Sequence, residues 1–224
     1  MPVTLQKSRE HLRSFSAECE RVGHALLQAF SIGLGLPKQF LSKSHTGEQN
    51  RFRMLHYPPV TAAAQSKDDI LVAEDEDIRA GAHSDYGSLT LLFQEPGDAG
   101  GLQVWYNSAW LNVPYVEKAI VVNIGDALEF WTAGRLRSTI HRVTFPASKG
   151  PTGSRYSIPF FMAPDDDAIL EPLLSSDERH LSDAGQEFNF GELAKVKGYQ
   201  SLEPVSAKEH RLRREANIGS SKKA

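Results

Sequence analysis

Along the first thirty positions, Leu12, Phe15, Cys19, Val22, Leu26 and Phe30 recur at steps of three and four. A helix would gather them into one apolar stripe. Gly33, Gly35 and Pro37 follow and predict where it stops. Cys19 sits on that stripe, so packing rather than reactivity is its expected role. From residue 51 the period changes. Runs rich in β-branched and aromatic residues predict strands over 52–57, 88–94, 101–105, 110–113, 119–124, 128–131, 139–145 and 155–162. Gly97, Gly100, Asn107, Pro114, Gly125-Asp126, Gly134 and the 149–153 stretch punctuate them as turns. Short strands with no helix between them predict a mainly β chain, an antiparallel barrel or jelly roll, flanked by the N-terminal helix. The charged stretch 66–79 reads as a surface loop and 192–198 as a short helix.

Composition narrows the classes. At 224 residues the chain suits one domain with a buried core. A net charge of -3 gives no bulk electrostatic case for nucleic acid or an anionic membrane. The basic cluster of Lys208, Arg211, Arg213 and Arg214, with Lys222 and Lys223, reads as an exposed, fraying tail. A single cysteine excludes both an intrachain disulfide and a multi-cysteine zinc site. The N-terminus carries no apolar signal core, and the longest apolar run, 119–122, is far short of a membrane span. The expected setting is cytoplasmic, soluble and reducing.

The chemistry begins at His83-Ser84-Asp85. On a strand, residues two apart share a face, so the imidazole and the carboxylate would converge. Alone this is a weak signal. His141, in the strand-like run Ser138-Thr139-Ile140-His141-Arg142-Val143, supplies a second imidazole. Two imidazoles and one carboxylate on one face of an octahedral metal leave open positions, a pattern of non-haem Fe(II) oxygenases. The same ligands would also serve zinc tetrahedrally. Fourteen residues after His141 comes Arg155-Tyr156-Ser157. A guanidinium and a hydroxyl on one strand face suit a small carboxylate.

These blocks resemble the isopenicillin N synthase-like Fe(II)/2-oxoglutarate-dependent dioxygenases. The run from His83 through Tyr86-Gly87-Ser88 to Leu92 is similar to their metal-binding strand. Gly101-Leu102-Gln103-Val104, Trp110 to Pro114, Val122-Asn123-Ile124-Gly125-Asp126, the run around His141, and Arg155-x-Ser157 with Pro159-Phe160-Phe161 are similar to later blocks in the same order. The resemblance covers about residues 51–166.

It implies a double-stranded β-helix with Fe(II) held by His83, Asp85 and His141. It also implies 2-oxoglutarate held by Arg155 and Ser157, with Tyr57, before Pro58, assisting. The implied reaction consumes O2 and 2-oxoglutarate, releases succinate and CO2, and oxidises a small organic substrate by hydroxylation or a related step. His56 should point away from the site. Tyr86, Phe93, Phe161 and Met162 are candidates for the pocket wall, with Phe93 and Phe161 expected in the core. Trp131 is expected to pack, and Asn123 to cap a turn before Gly125 rather than support a ligand. Some relatives keep the Arg-x-Ser pair without using 2-oxoglutarate, so an oxidase-type reaction stays open. Family members carry a longer N-terminal part. Its lack here would expose a sheet edge, open a route to a homodimer, and leave a non-catalytic binding module as the alternative. The expected organisation is a helical segment (1–50), the oxygenase domain (51–166) and a C-terminal extension (167–224), partly helical and partly disordered.

Overall fold

Helix α1 (Arg9–Gly33) follows a 3-10 turn at Val3–Ser8 and buries Cys19, Gly23, Leu27 and Ser31. It ends as the glycines predict. Gly35 takes φ 73°, its N–H bonds Ile32 O, and Leu36 N–H bonds Ser31 O, a Schellman closure that favours glycine. Burial pushes the Cys19 thiol up to about 11, which suits packing and not reactivity.

The computed structural model describes residues 3–58, 78–95, 101–144, 154–173, 179–181, 187–199 and 201–221. Its elements continue as β1 (Arg51–Phe52), β2 (Leu55–Tyr57), β3 (Ile78–His83), β4 (Leu89–Gln94), β5 (Leu102–Tyr106), β6 (Ala109–Asn112) and β7 (Val121–Ile124). Then come α2 (Asp126–Trp131), β8 (His141–Thr144), β9 (Arg155–Met162), β10 (Ile169–Leu170), β11 (Arg179–Leu181), β12 (Glu187–Asn189), α3 (Phe190–Lys197), β13 (Val205–Ser206) and α4 (Ala207–Ser221). Two antiparallel sheets dominate. One has the order β1-β9-β4-β7, with β2 also on β9; the other has the order β3-β8-β5-β6. This is the jelly-roll arrangement expected, with α1 laid on the outside of the first sheet.

Period-2 alternation divides that first sheet. Leu89, Leu91, Phe160 and Met162 are buried in the core shared with α1 and α2. Their neighbours Thr90, Leu92, Pro159 and Phe161 face a cavity between the sheets. Phe15 of α1 meets Phe52 and Phe93 edge-on, at 6.3 and 5.0 Å between centroids. Phe93 therefore belongs to the core, as expected, and so does Met162. Phe161 does not; it lines the cavity. The β5–β6 hairpin turns through Asn107 and Ser108, both at positive φ (47° and 61°), as a primed turn requires. Among the described residues no helix is long and apolar enough to cross a membrane.

The structure corrects several local readings. Residues 128–131 are not a strand but part of α2, where all six residues from Asp126 to Trp131 are buried. With no solvent face, the segment shows no helical period. Trp131 packs against Phe40, as expected. Strand β3, with Gly81 and two alanines, has low β-propensity. It is held instead by irregular pairing with β8, and it claims residues 78 and 79 from the predicted loop. The rest of that loop, Phe145, Gly97, Gly100 and the 149–153 turn lie outside the described residues. The predicted strand 52–57 splits into β1 and β2, both on β9. The cluster from Lys208 to Arg214 is not a frayed tail; it lies in α4, where His210 and Arg214 are buried.

Candidate metal centre

Antiparallel pairing of β3 and β8 sets His83 directly opposite His141, with ring centroids 4.4 Å apart. Asp85 is not on the strand, as the sequence suggested, but in the turn that follows β3. That turn brings its Oδ1 to 3.7 Å from His83 Nε2 and 3.8 Å from His141 Nε2. Among the described residues these three form the one group with ligand atoms all within 4.8 Å of one another.

Both imidazoles are oriented by the same device. His83 Nδ1–H donates to Gly81 O at 2.7 Å, and His141 Nδ1–H donates to Thr139 O at 3.1 Å. A carbonyl only accepts, so each Nδ1 carries the proton and each Nε2 turns a lone pair toward Asp85 Oδ1. The other Asp85 oxygen, Oδ2, accepts from Thr90 Oγ1 at 2.6 Å and Asn123 Nδ2 at 2.8 Å. Oδ1 is thereby left as the oxygen facing both rings. Such a donor set, two neutral nitrogens and one carboxylate oxygen, fits a divalent transition metal. Asn123 is thus more than the turn cap the sequence suggested. Thr90 was missed altogether; its one signal is a hydroxyl among the leucines of β4.

The cluster opens into a cavity of about 270 Å³. Arg155 and Ser157, on alternate positions of β9, are both buried and line it, and Arg155 Nη1 donates to Ser157 Oγ at 3.4 Å. Tyr57 is the register partner of Arg155, and the guanidinium lies 5.4 Å from its ring centroid. His56 points the other way, stacking on Tyr156 and bonding Ser154. All six residues singled out in the sequence line this one cavity. Of the wall candidates, Phe161 lines it and Tyr86, Phe93 and Met162 do not.

Residues 49–164 match the sequence profile of the 2OG-Fe(II) oxygenase superfamily. A UPF0676 protein of Schizosaccharomyces pombe is 38% identical over 200 residues, covering 83% of this chain and 58% of its own length. The chain belongs to the 2OG-Fe(II) oxygenase superfamily. A 2-oxoglutarate-dependent dioxygenase of Aspergillus rugulosus is 36% identical over 171 residues, or 72% of this chain and 49% of its own length. A full-length Neurospora crassa protein solved in complex with alpha-KG aligns at TM-score 0.73 and 26% identity, covering 95% of this chain and 58% of that one. The chain spans about half the length of the curated relatives it matches.

Behind the cluster this superfamily member carries a buried ionic network. Asp126, fully buried, accepts from Ser84 Oγ at 3.0 Å, Ser138 Oγ at 2.8 Å and Arg214 Nε at 2.8 Å. Its backbone N–H bonds Asp85 O at 2.7 Å. One carboxylate therefore ties the turn that follows His83 and carries Asp85 to the segment leading to His141. Burial opposes its ionisation. Arg214, Lys197 and the two serine hydroxyls overcome that and hold its carboxyl below the ordinary range. For neighbouring Glu129 burial prevails over Lys197 and the Ser138 N–H, and the carboxyl is raised. Both cations of Asp126 come from the C-terminal helices α3 and α4.

Proposed function

We propose that the chain is a non-haem Fe(II), 2-oxoglutarate-dependent oxygenase acting on a small organic substrate in the cytoplasm. His83, Asp85 and His141 would hold the iron. The observation that carries this reading is the pair of Nδ1–H bonds to Gly81 O and Thr139 O, which frees both Nε2 atoms toward Asp85 Oδ1. Ferrous iron bound there supplies dioxygen activation, coupled to oxidative decarboxylation of 2-oxoglutarate to succinate and CO2.

The chain's own residues do the rest. Arg155 and Ser157 take the distal carboxylate of 2-oxoglutarate through charge-assisted bonds, and Tyr57 bounds it from β2. Thr90 and Asn123 fix the Asp85 carboxylate, so only one oxygen is free for the metal. Leu55, Leu92, Val104 and Val121 give the cavity apolar walls, which exclude water from the reacting groups.

The test is the visible spectrum of the anaerobic protein with Fe(II), before and after 2-oxoglutarate, beside Asp85→Ala and Arg155→Ala. A charge-transfer band on adding 2-oxoglutarate, weakened in both variants, is expected. Succinate release under air should follow. Bound iron without a band would favour an oxidase-type reaction. No iron binding would reject the oxygenase and leave a binding module.

A further inference from the structure

We propose that Arg214 and Lys197 are positioning residues of the metal centre: through Asp126 and Ser138 the C-terminal helices hold both arms that carry the ligands, and metal affinity depends on their docking. This rests on the reading of His83, Asp85 and His141 as metal ligands. The two arms are separate in sequence. Ser84 lies between the ligands His83 and Asp85, and its hydroxyl donates to Asp126 Oδ2 at 3.0 Å. Ser138 opens the run to His141, and its hydroxyl donates to Asp126 Oδ1 at 2.8 Å. Each oxygen of one carboxylate thus receives one arm. The Asp126 N–H adds its bond to Asp85 O.

Ser138 is held at its backbone as well. Its N–H donates to Glu129 Oε1 at 2.9 Å, and its carbonyl accepts from Lys197 Nζ at 3.0 Å. The next residue is Thr139, whose carbonyl orients the His141 ring, so a shift at Ser138 re-aims His141 Nε2. The C-terminal helices close the assembly. Lys197, the last residue of α3, lies 3.7 Å from Asp126 Oδ1 and 3.4 Å from Glu129 Oε2. From α4, Arg214 gives Nε to Asp126 Oδ2 at 2.8 Å and Nη1 to Lys197 O, and its guanidinium stands 5.3 Å from the Tyr199 ring centroid. Asp126, Glu129, Ser138 and Arg214 are all buried, so a lost partner leaves a polar group stranded and the arms must shift to relieve it. None of Asp126, Ser138, Lys197 and Arg214 lines the cavity; they act through the ligands. Direction separates positioning from charge. By Coulomb attraction alone, removing a cation favours a divalent ion nearby, whereas loss of positioning weakens it. The coupling is also reciprocal: if docking of α4 raises metal affinity, bound metal strengthens that docking by the same factor.

The test keeps turnover out and uses the full chain with Mn(II) as probe. Titration calorimetry compares wild type with Arg214→Met, Lys197→Met, Arg214→Lys and Ser138→Ala, each shown by circular dichroism to be folded at the working temperature. Two controls accompany them. Arg213→Met removes an exposed pair with Glu209 on the same helix, and Leu27→Ala is a destabilising core truncation in α1, outside the network. Affinity should fall on the order of fivefold or more in Arg214→Met, Lys197→Met and Ser138→Ala, less in Arg214→Lys, and in neither control. Saturating Mn(II) should slow hydrogen exchange of α4 in wild type by up to the same factor. If Arg214→Met fails to fold, Ser138→Ala and the exchange measurement decide. Unchanged or tighter Mn(II) binding in the folded variants, or α4 exchange indifferent to Mn(II), overturns this inference alone. Equal weakening in Leu27→Ala also overturns it, because lost stability would then explain the effect. Wild type that binds no Mn(II) overturns the reading of the metal ligands and this inference with it.

Discussion

Asn123 donates its side-chain N–H to Asp85 Oδ2 at 2.8 Å, on the side of the carboxylate turned away from both histidines. With Thr90 it decides which oxygen faces the rings. Outer partners of this kind typically tune metal affinity by ten- to a hundredfold. Asn123→Ala should therefore weaken Mn(II) or Co(II) binding, read by titration calorimetry, by roughly tenfold. Asn123→Asp should weaken it further, because a second carboxylate would face Asp85. Unchanged affinity in both variants would mean that Thr90 alone suffices.

Arg214 reaches the cluster through Asp126, a partner 88 positions away whose backbone N–H bonds Asp85 O. Removing one member of a buried ion pair strands the other, at a cost of about 3–5 kcal/mol. Arg214→Met should lower stability by about 3 kcal/mol in urea unfolding, the lower end of that range, since Asp126 would keep Lys197 at 3.7 Å as its remaining cation. Arg214→Met with Asp126→Asn should cost less than the two changes summed, because the stranded charge is gone. Strict additivity would show that the pair is not coupled.

Two buried histidines make stability depend on pH. His45, with Nδ1–H on Leu41 O and Nε2 accepting from Ser88 Oγ, is lowered to about 4 by burial. His210, against Phe130 and Tyr199, is also lowered to about 4, first by burial. Both are neutral in the folded chain, so between pH 6.5 and 4 the unfolded chain binds more protons. Stability should be full above about pH 6.5 and fall as pH drops toward 4, by about 3 kcal/mol for each histidine. Denaturant unfolding of the metal-free protein at about pH 7.5 and about pH 4.5 measures the difference. His45→Gln and His210→Gln should each flatten the slope, and a slope unchanged in both would assign it to other groups.

The parts legible in the sequence are those with a local signature. The α1 stripe repeats at helical spacing, β9 is a continuous run from Arg155 to Met162, and His83, Asp85, His141 and Arg155-x-Ser157 stand in fixed blocks. What stays hidden depends on distant partners. Nothing near β3 announces a strand, because Ile78 to His83 is held by β8 some sixty residues later. Helix α2 has no polar face to give it a period, since Asp126 and Glu129 are themselves buried by Arg214, Lys197 and Tyr199. The same network explains why a basic cluster that resembles a solvated tail is partly interior. Asn123 reads as a cap because its acceptor, Asp85, lies 38 positions back, across the β4–β7 pair.

Gly125 gives a final test of how tightly the turn after β3 is packed. Its φ of -103° is open to any L residue, so backbone conformation does not demand glycine here. Space does. A Cβ at Gly125 would lie 2.2 Å from Gly87 O and 3.0 Å from Asp85 O, and one at Gly87 would lie 2.4 Å from Met162 O. These are backbone atoms, which cannot swing aside as a side-chain end could. The two that Gly125 would meet, Gly87 O and Asp85 O, also belong to the turn that carries Asp85, so relief of that clash must move the ligand. Gly125→Ala should cost about 1–3 kcal/mol or more in stability, as overpacking does. It should also weaken Mn(II) binding in protein that remains folded. Gly33→Ala is the control, since nothing lies within 4 Å of a Cβ there and the change should leave metal affinity alone. If Gly125→Ala were to bind metal as wild type does, the turn would be more compliant than its contacts imply, and the hold of Asp126 on Asp85 would matter less than its geometry suggests.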